Sequence, residues 1–218
     1  MPNAYPVDSD ITALINGSGI TLPSGYSTSG YAAAAIDEWE KLTGFIPFLN
    51  TEGSSAQTFD PPGVRPNAKS YGSLYGGERV MALKGGLVSV ASVVSSGQTM
   101  VLGTDYRLRP GNAAAKGKPF TWIEFAYPIW GLPDSVVVTG VFGYCSGSIP
   151  QTAWDAIVRI GAAMVARDVL QGIYASPTDI KEGDEAVQQD SFRDLGQAWE
   201  AYSARMVDFY KLKIGFLL

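Results

Sequence analysis

Ser135-Val136-Val137-Val138-Thr139-Gly140-Val141-Phe142-Gly143-Tyr144 is followed, after a short Gly/Ser loop, by Ile149-Pro150-Gln151-Thr152-Ala153-Trp154. The first stretch is β-branched and reads as the longest strand of the chain, with Gly140 and Gly143 allowing a bulge or a close neighbour. The second opens a helix. Ser148 and Gln151 have the S-x-x-Q spacing of a capping box, and Pro150 lies in the first turn, where a missing N–H costs nothing. At this seam a β-rich architecture passes over to a helical one.

Downstream, the helix is expected from about Ile149 to Gln171. Trp154, Ile157, Val158, Gly161, Met164, Val165 and Val169 form its apolar face, Asp155 and Arg159 pair outside it, and Gly172 closes it. An acidic loop around Lys181–Glu185 precedes a last helix that starts near Ser191. There Phe192, Leu195, Trp199, Tyr202, Met206 and Phe209 recur at alternating spacings of three and four, a coiled-coil-like seam. Lys211 and Lys213 follow in or after its last turn, where cations favour the helix dipole. The apolar run Ile214-Gly215-Phe216-Leu217-Leu218 comes next.

Upstream of the seam, residues 78–148 read as an inserted β-rich block, a small barrel or sandwich. Its strands are expected at Val80–Leu83, Leu87–Val94, Thr99–Leu102, Tyr106–Leu108, Thr121–Phe125 and Ser135–Tyr144. Ser95-Ser96-Gly97-Gln98 is a hairpin turn, and Lys84-Gly85-Gly86 a further turn. Residues 50–77, rich in Gly, Pro and Ser, read as a long loop or arm. Before it, a helix is expected from about Ser27 to Leu42. Ser27 to Ser29 offer caps, Tyr31, Ala35, Trp39 and Leu42 make one stripe, and Asp37 pairs with Lys41. Gly44 stops it in the left-handed conformation and Pro47 prevents a restart. A short helix at Ser9–Asn16, capped by Asp8 or Ser9, completes the set. The fold class is thus α+β. A helical bundle, residues 1–49 and 149–218, is interrupted by the β block and its arm.

Composition narrows the function. The 218 residues carry 46% hydrophobic and 17% charged side chains and a net charge of −5, with 16 Lys and Arg and no basic block. Tight nucleic-acid binding needs clustered cations, so at most passage of DNA is expected. No apolar run approaches the ~20 residues of a membrane span, and without a basic n-region or apolar h-region near Met1 no secretory signal is expected.

The chain has no histidine and one cysteine, Cys145. A Ser–His or Cys–His nucleophile is therefore impossible, a zinc site lacks ligands, and Cys145 is by default a structural thiol. Among the carboxylates, Glu124 with Asp134 is the least unfavourable candidate for a glycosidase pair. The acidic loop lacks calcium-loop spacing, and the Gly pairs at 76–77 and 85–86 lack phosphate-loop spacing. No catalytic, cofactor or metal residue is assigned.

Several stretches in order resemble the head-tail connector (adaptor) proteins of tailed bacteriophages. They are Asp37-Glu38-Trp39-Glu40-Lys41-Leu42-Thr43-Gly44 with Pro47-Phe48-Leu49; Leu87-Val88-Ser89-Val90 through Gly103-Thr104-Asp105-Tyr106-Arg107-Leu108-Arg109-Pro110; Asn112-Ala113 and Trp122-Ile123-Glu124; and Val136 to Tyr144 running into Ile149-Pro150. The resemblance covers about residues 30–175. It implies a non-enzymatic virion protein, assembled in the host cytoplasm and located at the head-tail junction, where copies form a ring, commonly twelvefold, beneath the portal. Its partners would be its own copies, the portal protein and a downstream neck or tail protein, with DNA only in passage and no cofactor. By position, Ile214, Phe216, Leu217 and Leu218 are expected to meet the portal. Phe59, Pro61, Pro62, Tyr71 and Tyr75 of the arm are expected between subunits. The β insertion is larger than in the simplest all-helical members. Other readings share the composition: a neck stopper, tail terminator or minor head protein, or a carbohydrate-binding or hydrolytic module.

Overall fold

The stripe Tyr31-Ala35-Trp39 builds a helix in the computed structural model, which describes residues 4–62, 79–129, 131–174 and 184–211. Within them the chain forms two compact units. One takes the chain up to Thr43 together with Ser148–Lys211, and the other is Gly44–Gly147.

The first unit is helical: α1 (Asp8–Gly17), α2 (Tyr31–Thr43), α3 (Gln151–Tyr174) and α4 (Asp184–Tyr210). Helix α3 is its axis, packed by α1, α2 and α4. It is wrapped nearly all round, which is why its buried positions include Ala153, Ala156, Ala162 and Ala166 as well as Ile157, Val158 and Val165. Gly161 sits where Ile11 and Ala35 converge, with no room for a larger residue unless Ile11 moves. Gly172 does not end α3, which continues to Tyr174. Arg159 leaves the expected pairing with Asp155 and lies over the Tyr202 ring, 4.2 Å from its centroid. Asp155 instead accepts a hydrogen bond from Gln151 Nε2 at 2.7 Å.

Helix α4 starts at Asp184, seven residues ahead of the expected start. Its buried line is Phe192, Gly196, Trp199, Ser203, Val207 and Tyr210. That line advances eighteen positions in five turns, the 3.6 period of a straight helix. The sequence stripe, with a period near 3.5, drifts off it: Phe192 and Trp199 are buried, Tyr202 and Met206 half-buried, and Phe209 is 58% exposed. Ser203 takes the inward place and satisfies its hydroxyl by donating to Trp199 O at 2.8 Å. Tyr210 closes the line with an edge contact to Trp39, centroids 5.6 Å apart.

Helix α2 is capped from a distance. Asp8 Oδ1 accepts from Ala32 N at 2.8 Å and Oδ2 from Gly30 N at 3.0 Å, so an α1 residue satisfies the exposed donors of α2. These N–H groups, Ala32 first, hold the Asp8 carboxyl below its usual 3.8. The folded state therefore favours the charged form. The stabilisation is complete at neutral pH and disappears as pH falls from about 4 through the folded-state value. An Asp8→Asn variant is expected to melt lower than the wild type at pH 7, with the difference closing below pH ~3. A difference that stays constant across an acid titration followed by circular dichroism would remove this role.

The second unit contains β1 (Leu49–Asn50), β2 (Ser55–Phe59), β3 (Val80–Ser95), β4 (Gln98–Met100), β5 (Tyr106–Arg109), β6 (Phe120–Phe125), β7 (Val136–Phe142) and β8 (Cys145–Ser146). The main sheet runs β2-β7-β3-β6-β5, with β4 also on β3, and every pairing in it is antiparallel. No closed barrel forms: among the described strands, β2 and β5 are open edges. The sheet instead covers one core that includes Leu83, Leu87, Val93, Ile123, Phe125, Val138 and Phe142.

Two readings change here. Val80–Leu83 and Leu87–Val94 are one strand of 16 residues, because Gly85 and Gly86, at φ 78° and 75°, make an irregularity within β3 rather than a reversal. Ser55–Phe59, inside the stretch expected as arm, is a strand that adds to β7 in register from Ser55 opposite Gly140 to Phe59 opposite Val136. The β1–β8 pair was not legible at all. By contrast Ser96 and Gly97, at φ 49° and 81°, form the two-residue hairpin turn read from the sequence.

Candidate functional site

The residue types that suggested chemistry do not converge. Cys145 is half-buried, its thiol is pushed up to about 12 by desolvation, and its Sγ lies 3.6 Å from Phe48 O. A thiol so held carries almost no thiolate at neutral pH. Glu124 Oε2 accepts from Arg109 Nε at 2.6 Å. Its strand neighbour on β3 is Val80, whereas Asp134 lies just before Val136, the partner of Ser95 at the other end of β3. The two carboxylates are therefore set along a 16-residue strand, beyond the roughly 5–10 Å that a glycosidase pair requires. Asp134 is engaged locally, accepting from Thr58 Oγ1 at 3.4 Å. Among the described residues no group of three metal-ligating side chains gathers, and no helix is long and apolar enough to cross a membrane.

What the sequence seam builds is a clasp at the entry and exit of the β unit. Leu49-Asn50 runs parallel to Cys145-Ser146, so the incoming and outgoing chains lie side by side. Phe48 stacks on Tyr144 at 4.6 Å, and Phe45 meets Tyr144 edge-on at 5.2 Å. The amides of Tyr144 and Cys145 both donate to Phe48 O, at 3.0 and 3.1 Å. Asn50 Nδ2 donates to Phe142 O at 2.7 Å and its Oδ1 accepts from Gly53 N at 2.7 Å, bridging the strands from a buried position. Gly143 (φ 135°) permits the approach, since a Cβ there would lie 2.8 Å from Pro47 O. Phe45, Phe48 and Asn50 were missed as a group. Their only local signal was the aromatic spacing around Pro47.

The expected partner-facing residues divide. Phe59 is buried and its ring stacks on Phe142 at 6.2 Å, so its side chain is committed to its own core rather than to a neighbouring subunit. Pro61 is buried and Pro62 half-buried. Tyr71, Tyr75, Ile214, Phe216, Leu217 and Leu218 lie outside the described residues.

The exposed apolar side chains lie elsewhere. On the β unit, Val101, Leu102 and Tyr127 are exposed around one carboxylate. Asp105 Oδ2 accepts from Val101 N at 2.8 Å and Oδ1 from Tyr127 OH at 3.2 Å, which fixes the loop that presents them. On the helical unit, Leu42 and Phe209 are exposed. No protein-family model and no curated protein matches this chain.

Proposed function

We propose that this protein is a structural virion component, a head-tail adaptor whose copies form a ring under the portal, join the capsid to the neck or tail, and let DNA pass. The observation that carries the reading is the seam. Strand β7 leads through the clasped β8 and Ile149-Pro150 into α3, the axis of a helical unit whose other half precedes the β insertion. That is the order of elements in which the sequence resembles the adaptor family. The presented apolar groups around Asp105 support a life in an assembly. The charge of −5 per chain fits a channel that does not grip phosphate; about twelve copies would carry roughly −60. The C-terminal apolar run, Ile214 to Leu218, is the segment assigned to the portal.

Silencing the gene in the phage that encodes it tests the reading. Heads and tails that accumulate separately are the expected outcome. Complete, infectious virions formed without the protein would overturn it.

A further inference from the structure

On the helical unit, α2, α3 and α4 leave an open groove of about 360 Å3. Ile160, Met164 and Val207 line it, and Leu42 stands 43% exposed at its side. Its rim carries Glu38, Glu200 and Asp208 beside Arg167, and Lys41, paired with Asp37, also acts on Glu38 by charge. None of the three carboxylates has an ion-pair partner among the described residues, and Arg167 reaches only Asp168, at 3.8 Å.

We propose that this groove binds a helical segment of another protein that carries apolar side chains on one face and lysine or arginine beside them. Three features select that occupant. Ile160 and Val207 are already covered, but Leu42 is exposed and Met164 half-buried in the groove, which favours laying apolar side chains over that pair. A trough walled by helices is the shape that accepts an amphipathic helix through anchors one turn apart. The three carboxylates repel an acidic segment and are relieved by a basic one, so charge sets both partner choice and approach rate. The proposal does not rest on the adaptor reading.

The test uses the full chain and two synthetic amphipathic peptides, one of leucine and lysine and one with every lysine replaced by glutamate, with binding followed by fluorescence anisotropy. The lysine peptide is expected to bind at least tenfold tighter than the glutamate peptide, and to weaken with added salt. Ala204→Trp, at an exposed position on the groove wall, is expected to weaken the lysine peptide at least tenfold without moving the melting temperature. The double variant Glu200→Gln with Asp208→Asn is expected to weaken it at least fivefold, and serves as the deciding variant should Ala204→Trp unfold the protein. Equal binding of both peptides, no binding of either, or undiminished binding by the deciding variant overturns the proposal. None of these results bears on whether the protein joins heads to tails, which the gene-silencing experiment reads by itself.

Discussion

Trp199→Ala is expected to destabilise the helical unit by roughly 3–5 kcal/mol, the usual cost of emptying a large aromatic site in a core. Trp199 is 3% exposed and packs in the cluster with Ile11, Ala162, Ala166 and Phe192. Against a typical total of about 5–15 kcal/mol, that is a large fraction of the stability. The thermal transition should fall by about 6–20 °C, since each kcal/mol shifts a chain of this size by about 2–4 °C. Phe209→Ala is the paired control. Its ring is 58% exposed and keeps only an edge contact with Tyr210, centroids 5.0 Å apart, among the contacts given, so the expected loss is at most about 1.5 kcal/mol. Urea unfolding of both variants separates a straight-helix line of burial from a coiled-coil-like seam. Equal losses for the two would restore the seam and contradict the burial described here.

The second large effect is expected in the β unit. A Cβ on Gly140 would lie 2.3 Å from Ser89 O and 3.2 Å from Val90 Cα, both backbone atoms of β3, and 2.9 Å from Leu87 Cδ1. No side-chain rotation relieves the first two contacts, so β3 and β7 would have to part. Gly140→Ala is therefore expected to cost about 1–3 kcal/mol, as overpacking does, although alanine suits a strand better than glycine. Gly172→Ala should move the other way. Nothing lies within 4 Å of its added Cβ, and its φ is not positive, so a gain of about 0.4–1 kcal/mol is expected from the helix interior. Thermal denaturation of the two variants checks the signs. A neutral Gly140→Ala would mean that β3 and β7 do not approach as closely as the pairing of Val90 with Gly140 requires.

Features written in a few neighbouring residues were legible in the sequence. Gly44 ends α2 at φ 79°, Ser96-Gly97 turns β3 into β4, and Asp37 pairs with Lys41 at 2.6 Å. The start of α3 beside Ile149-Pro150 was legible for the same reason. Features that depend on distant residues were not. The cap of α2 comes from Asp8, more than twenty positions earlier, while Ser27 Oγ accepts from the Ser29 amide at 3.2 Å. Strand β2 reads Ser55-Ala56-Gln57-Thr58-Phe59, with no apolar alternation. It is a strand because β7 offers it a ladder of backbone hydrogen bonds, and an edge position buries only Phe59. The sheet remained open because closure depends on two edges meeting, which no single strand encodes. The site was legible in part. The seam pointed to the junction, but the clasp needs Phe45, Phe48 and Asn50 brought back from nearly a hundred residues away. The groove on the helical unit arises from three helices and has no signature in any one of them.

The adaptor reading is tested most directly by native mass measurement of purified portal rings mixed with the full chain. Each portal is expected to gain mass equal to an integral ring of 23.2 kDa protomers, with one set of copies that does not grow as the protein is raised further in excess. Portal rings that keep their own mass while the protein stays free in solution would contradict it.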